Sequence, residues 1–189
     1  MSGTDSTSPG DALAADIGAL LAPLTAAMGA DETGYTHHVL RVLELCDLVA
    51  PPGVPRPSDR TEFRVAAVFH DLGIWSAGTF DYLPPSIALA EAHLRETDAA
   101  ELIPTVTAMI EHHHKLRHAG AADDPVEIFR RADAVDVELA LLGRFGVRRR
   151  GYRALARRYP DAGFHRRLVT LAGQRLRTHP TSPLPMLEW

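Results

Sequence analysis

Apolar residues recur along this chain at intervals of three and four, and strict apolar/polar alternation is almost absent. That period belongs to helices that bury one face, so the pattern predicts an all-α protein. An Ala/Leu-rich stretch beginning at Asp11, a potential N-cap, predicts a first helix reaching about Met28. Residues 35–50 form a second, with Val39, Val42, Leu43, Cys46 and Val49 as its stripe, and the proline-rich run 51–57 stops it. A third runs from 59 or 60 to 71, with Gly73 read as its C-terminal stop. Pro84 and Pro85 open a fourth, 98–102 adds a short turn, and 104–117 is the fifth. Asp124-Pro125-Val126-Glu127 has the form of an N-cap with a capping box and starts a sixth helix, expected to reach Leu142. Residues 152–158 and 164–177 supply two more.

A chain of 189 residues can bury a core of its own, and no repeat or linker divides it. The expectation is a polar, disordered tail over 1–10 and one helical domain over 11–189. A net charge of -4 gives no reason to expect nucleic acid as a partner, and Arg148-Arg149-Arg150 reads as solvated surface charge. The N-terminus lacks the basic-then-apolar order of a signal peptide, and no window is read as reaching the roughly 18 apolar residues of a membrane span. Cys46, the single cysteine, excludes an intrachain disulfide and fits a reducing, cytoplasmic setting. Its place on the apolar stripe makes it a small hydrophobe rather than a nucleophile. Nothing in the sequence speaks to oligomeric state.

Histidine changes this picture. There are ten, most of them between residues 37 and 118, and helical register separates the neighbours. On the second helix His38 lies at the edge of the buried stripe, while His37 shares the outer side with Arg41 and Glu44. On the fifth, His113 continues the Val106–Met109–Ile110 stripe, His112 points away and His114 flanks. On the sixth, Asp133 and Asp136 both fall within the apolar arc, and Glu127, Arg130, Arg131 and Glu138 fall outside it. Buried carboxylates need a compensating charge, for which a cation is a natural source. Periodicity leaves either Asp open as the inward one, with Asp136 slightly more centred. His70-Asp71 closes the third helix and offers a nitrogen and an oxygen ligand side by side.

The order His38, His70-Asp71, His113, Asp133 across successive helices resembles the HD-domain superfamily of metal-dependent phosphohydrolases, over about residues 35–140. The segments 78–86 and 183–189 are similar to those of an uncharacterised bacterial and fungal HD subfamily. The resemblance implies a compact helical bundle in which His38, His70, Asp71 and Asp133 hold one divalent metal, whose identity is open among Fe, Mn, Co, Ni and Zn. It decides between the two carboxylates in favour of Asp133, which follows a small residue as the family's final Asp commonly does. It sets His113 at the extra position that some members use for a second metal. Two-metal members carry a further histidine on the helix after the His-Asp pair; Ser86 stands there, and His93 lies seven residues on, read as surface. That absence argues for one metal.

The implied activity is hydrolysis of a small phosphate ester or nucleotide by a metal-activated water, with Asp71, His113 and Lys115 as catalytic groups. Lys115 is the candidate for a substrate phosphate; Arg117 and His118 read as solvated helix-end charge. The partner is then a small, phosphorylated molecule, with neither nucleic acid nor membrane required. Alternatives on the same scaffold are a metal-dependent hydratase or lyase, a two-iron oxygenase, and a non-catalytic metal or nucleotide sensor.

Overall fold

Tyr35, Val39, Val42, Leu43 and Cys46 line one helix whose core-facing side chains are all fully buried, and the molecule is built around it. The structure is a computed structural model that describes residues 9–78 and 81–178. All regular structure among the described residues is helical. The central helix α3 (Glu32–Val49) follows α1 (Pro9–Leu21) and the short α2 (Thr25–Met28). After it come α4 (Thr61–Phe69), α5 (Gly73–Ser76), α6 (Leu83–Glu96), α7 (Ile103–His112), α8 (Pro125–Val137), α9 (Arg149–Arg158) and α10 (Phe164–Thr178). Helix α3 packs on α8, α4 and α1, and α7 packs on α4, α6 and α8. One core cluster, including Phe63, Leu94, Met109, Ile110, Ile128 and Phe129, runs through these elements, so the helical part is a single-domain bundle.

Several boundaries differ from the periodic reading, each for a local reason. The first helix starts at Pro9 and breaks at Ala22–Leu24, where Pro23 has no N–H to continue the ladder. Most of the expected tail, 1–8, lies outside the described residues, as does the segment 183–189. Gly73 does not stop a helix but begins α5. A Cβ there would stand 2.3 Å from the Tyr82 carbonyl oxygen, so the position needs glycine for close approach. The Gly73 N–H donates to Ser86 Oγ at 2.9 Å, which accounts for a buried serine on α6 without a ligand role.

Helix α7 ends at His112 rather than 117, and α8 at Val137 rather than 142. In α7 the His113 ring nitrogen Nδ1 donates to Ile110 O at 2.6 Å and occupies the carbonyl that the next turn would use. His70 repeats this at the end of α4, donating from Nδ1 to Ala67 O at 2.8 Å. Beyond α8, Leu139 and Ala140 adopt left-handed φ of 53° and 50°, and Ala140 N–H closes the end on Val135 O. Asp124 caps α8 as expected, accepting from Val126 N–H at 2.8 Å. Glu127, however, turns inward to Arg130, Arg131 and the Ala119 N–H, so the second half of the capping box is not made.

Polarity departs from the periodic pattern in two places. Arg41, Glu127 and Arg130, assigned to outer faces, are buried at 1%, 0% and 4% exposure in charge-paired networks. The helical run Gly10–Val49 does contain a window long and apolar enough, by composition, to cross a membrane. That run is interrupted by 3-10 turns at Ala22–Leu24 and Gly29–Asp31, and its second half is the central core helix.

Candidate metal centre

The C-terminal ends of α4 and α7, the first half of α3 and the middle of α8 converge. His38 Nε2 lies 3.0 Å from His70 Nε2, 3.8 Å from Asp71 Oδ2 and 3.7 Å from Asp133 Oδ1. His70 Nε2 is 3.5 Å from Asp71 Oδ2 and 3.7 Å from Asp133 Oδ1. His113 Nε2 reaches Asp71 Oδ1 at 3.5 Å. The four residues expected to hold a metal, and His113, are thus brought together, all of them buried.

The tautomers follow from the partners. Carbonyl oxygens only accept, so the Nδ1 atoms of His70 and His113 carry hydrogens donated to Ala67 O and Ile110 O. His38 Nδ1 likewise donates to the ionised Asp136 carboxylate at 2.7 Å. Every one of the three rings therefore presents Nε2 to the same space, the ligand tautomer fixed by a hydrogen bond on the far nitrogen. With neutral rings, the Nε2 lone pairs of His38 and His70 would face each other at 3.0 Å, which requires a cation or a proton between them.

The carboxylates tell the same story. Asp71 Oδ1, His113 Nε2 and both oxygens of Asp133 are buried with no hydrogen-bond partner. Partnerless buried polar atoms are costly, and four converging on one point fit an ion that completes them. Burial opposes charge on His70, but Asp71 and Asp133 outweigh it and raise its pKa to about 9. Burial likewise works against ionised Asp71, yet His70 and His113 hold its carboxyl well below the usual range. Burial lowers the His38 pKa. The donors divide into three overlapping sets that could hold an ion: His38/His70/Asp133, His70/Asp71/His113 and His113/His114/Asp133.

His114 and Tyr82 were not singled out by periodicity. Because α7 stops at His112, the chain turns and carries His114 Nδ1 to 3.8 Å from Asp133 Oδ2, while its Nε2 meets Tyr82 OH at 2.6 Å. Burial, then the neighbouring His113, hold the His114 pKa down to about 3. The run of three histidines was the only sequence signal for this. His112 is half-buried rather than fully outward.

Asp136 belongs to a different set. It accepts from Arg41 Nε and Nη2 at 2.7 and 2.9 Å, from His38 Nδ1 at 2.7 Å and from Tyr152 OH at 2.9 Å. It therefore orients His38 from behind, and Asp133 is the α8 carboxylate turned to the cluster. His37 sits apart, bonded to Pro160 O, and His93 packs on Phe69 and lines another groove. A cavity of about 140 Å³ opens beside the cluster, bounded by His113, His114, Asp133, Lys115, Arg130 and Arg144. Lys115 thus lines it, whereas Arg117 and His118 are exposed and outside it. No family model, no curated protein and no solved structure matches the chain.

Proposed function

We propose that the cluster holds a divalent metal and that the protein is a metal-dependent hydrolase of a small phosphate ester or nucleotide, in the manner of HD-type phosphohydrolases. The observation that carries the reading is the set of three histidines with committed Nδ1 hydrogens, whose Nε2 atoms meet two carboxylates that lack partners. A donor set of imidazole and carboxylate suits Fe, Mn, Co, Ni or Zn. When bound, such an ion supplies Lewis acidity, lowering the pKa of water and polarising a phosphoryl oxygen.

The chain's own residues supply the rest. His38, His70, Asp71 and Asp133 hold the ion, and Asp136 fixes the His38 ring. Asp71 is ionised, so it contributes negative charge to the ion rather than a proton to the leaving group. Neutral His114 offers a hydrogen-bonding ring, steadied by Tyr82. Lys115 lines the cavity and offers positive charge to an anionic substrate, whereas Arg144 there is paired with Glu138. The cavity's volume, below the 300 Å³ or so of common ligand pockets, favours the phosphate end of a substrate over a whole nucleotide.

A second reading, two ions rather than one, is favoured by His114. It supplies the donor that Ser86 lacks, and His113/His114/Asp133 forms a set of its own. Elemental analysis of protein purified without chelators, followed by a phosphate-ester screen with each metal restored, tests both readings. One or two equivalents of transition metal with ester turnover is the expected result. Absence of stoichiometric metal would overturn the site, and bound metal without any ester turnover would overturn the hydrolase.

A further inference from the structure

Charge is distributed very unevenly along this chain. Residues 144–178 hold eleven arginines, no lysine and a single acid, Asp161, in a protein of net charge -4. Some of these arginines have internal partners: Arg144 pairs with Glu138, and Arg158 with Glu44. Arg148, Arg149, Arg150, Arg153 and Arg157 are exposed and have no ion pair among the described residues. Helix α9 buries Tyr152 and Leu155 on one side, so Arg149, Arg150, Arg153 and Arg157 line the face turned from the core, with Arg148 at its N-cap.

Their placement works against the isolated fold. Arg148 is the N-cap of α9 and Arg149 and Arg150 begin it, at the positive end of the helix dipole. Arg149, Arg153 and Arg157 repeat at i,i+4, where like charges repel. No acidic side chain among the described residues pairs with these five, which leaves their charge available to an anionic surface. The loop leading into α9 adds a second observation. Leu141 and Leu142 are 57% and 65% exposed, on a turn bent by left-handed Leu139, Ala140 and Gly143.

We propose that α9 and the preceding loop form a docking face for an anionic membrane surface. Arginines meet acidic headgroups there while Leu141 and Leu142 enter the acyl boundary, the combination that interfacial binding uses. A nucleic acid would satisfy the arginines but leave the leucines in water. For stacking, Tyr152, Tyr159 and Phe164 are buried and the partly buried Phe145 ring is already covered by Arg130, Arg131 and Arg144.

Co-sedimentation with phosphatidylcholine vesicles, with and without phosphatidylserine, tests this on the full chain. Binding is expected only to the phosphatidylserine vesicles and is weakened by salt. The triple variant R148Q/R149Q/R150Q should lose about a hundredfold in partitioning. The variant L141S/L142S, with every charge retained, should also bind more weakly, and circular dichroism should show unchanged helicity in both. No binding, equal binding to neutral vesicles, or an unaffected leucine variant would overturn the proposal. Tighter binding to duplex RNA than to phosphatidylserine vesicles at equal salt would overturn it in favour of nucleic acid.

Discussion

Asp133 and Asp136 lie one turn apart on α8, both almost completely buried, yet their surroundings are opposite. Asp136 receives a bidentate guanidinium, an imidazole and a phenol, and is the centre of a finished network. Asp133 has no hydrogen bond to either oxygen. A fold that satisfies one buried carboxylate four times over does not leave its neighbour bare through lack of donors. The contrast separates a carboxylate that holds the structure together from one whose open oxygens could hold an ion, and His38 is shared between them. Its Nδ1 belongs to the structural side and its Nε2 to the open side.

The largest effect that can break this comparison is on stability. Asp136→Ala leaves the Arg41 guanidinium buried without its counter-charge and should cost about 3–5 kcal/mol in urea denaturation. Asp133→Asn, on metal-free protein, should cost clearly less, because no hydrogen bond is lost and only its support of the His70 proton goes. Equal losses would show that the two carboxylates do not differ in kind.

Metal content comes next. Asp71→Ala and Asp133→Asn should each lower affinity by more than about a hundredfold while the helical spectrum is retained, a larger loss than outer contacts give. Wild-type occupancy in either variant would place the ion elsewhere.

The pH dependence sharpens the open side specifically. His70 is raised to about 9 in the metal-free protein, so its proton stabilises the fold fully below the unfolded value near 6.5. That contribution is lost as pH rises through about 9. Thermal melts of metal-free protein should therefore drop across this window, and metal affinity should climb, since metal and proton compete for the same nitrogen. Asp133→Asn should flatten both trends; a melting temperature independent of pH over that range would contradict the assignment.

The smallest contrast lies within the histidine run. His113→Ala should cut turnover strongly, because Nε2 faces Asp71. His112→Ala, at a half-buried ring that joins none of the three donor sets, should stay within about 1 kcal/mol in stability with turnover near wild type. Equal kinetics for the two would mean that the ring facing Asp71 has no part in the reaction.

Periodicity was enough to find the inward rings of His38 and His113, because one buried stripe per helix puts neighbours 100° apart. It misplaced Arg41 because α3 is covered twice. Its outer side meets the chain near Tyr159 and Pro160, well over a hundred residues away, where the Tyr159 carbonyl accepts from Arg41. It missed His114 because a helix extended to 117 carries that ring away from the cluster, whereas the actual helix ends at His112, where the His113 ring bonds the Ile110 carbonyl.

The amino-acid sequence alone determined the helical class, most helix starts, the apolar stripes and the short list of His and Asp residues that lie on or beside them. These follow from local spacing, capping chemistry and the cost of exposing apolar area. Only the tertiary structure decided which buried carboxylate is satisfied and which is open, and that His114 and Tyr82 join the cluster. A periodic pattern reports that a group is buried. Whether it has a partner depends on donors brought from distant segments, and those distances exist only once the chain has folded.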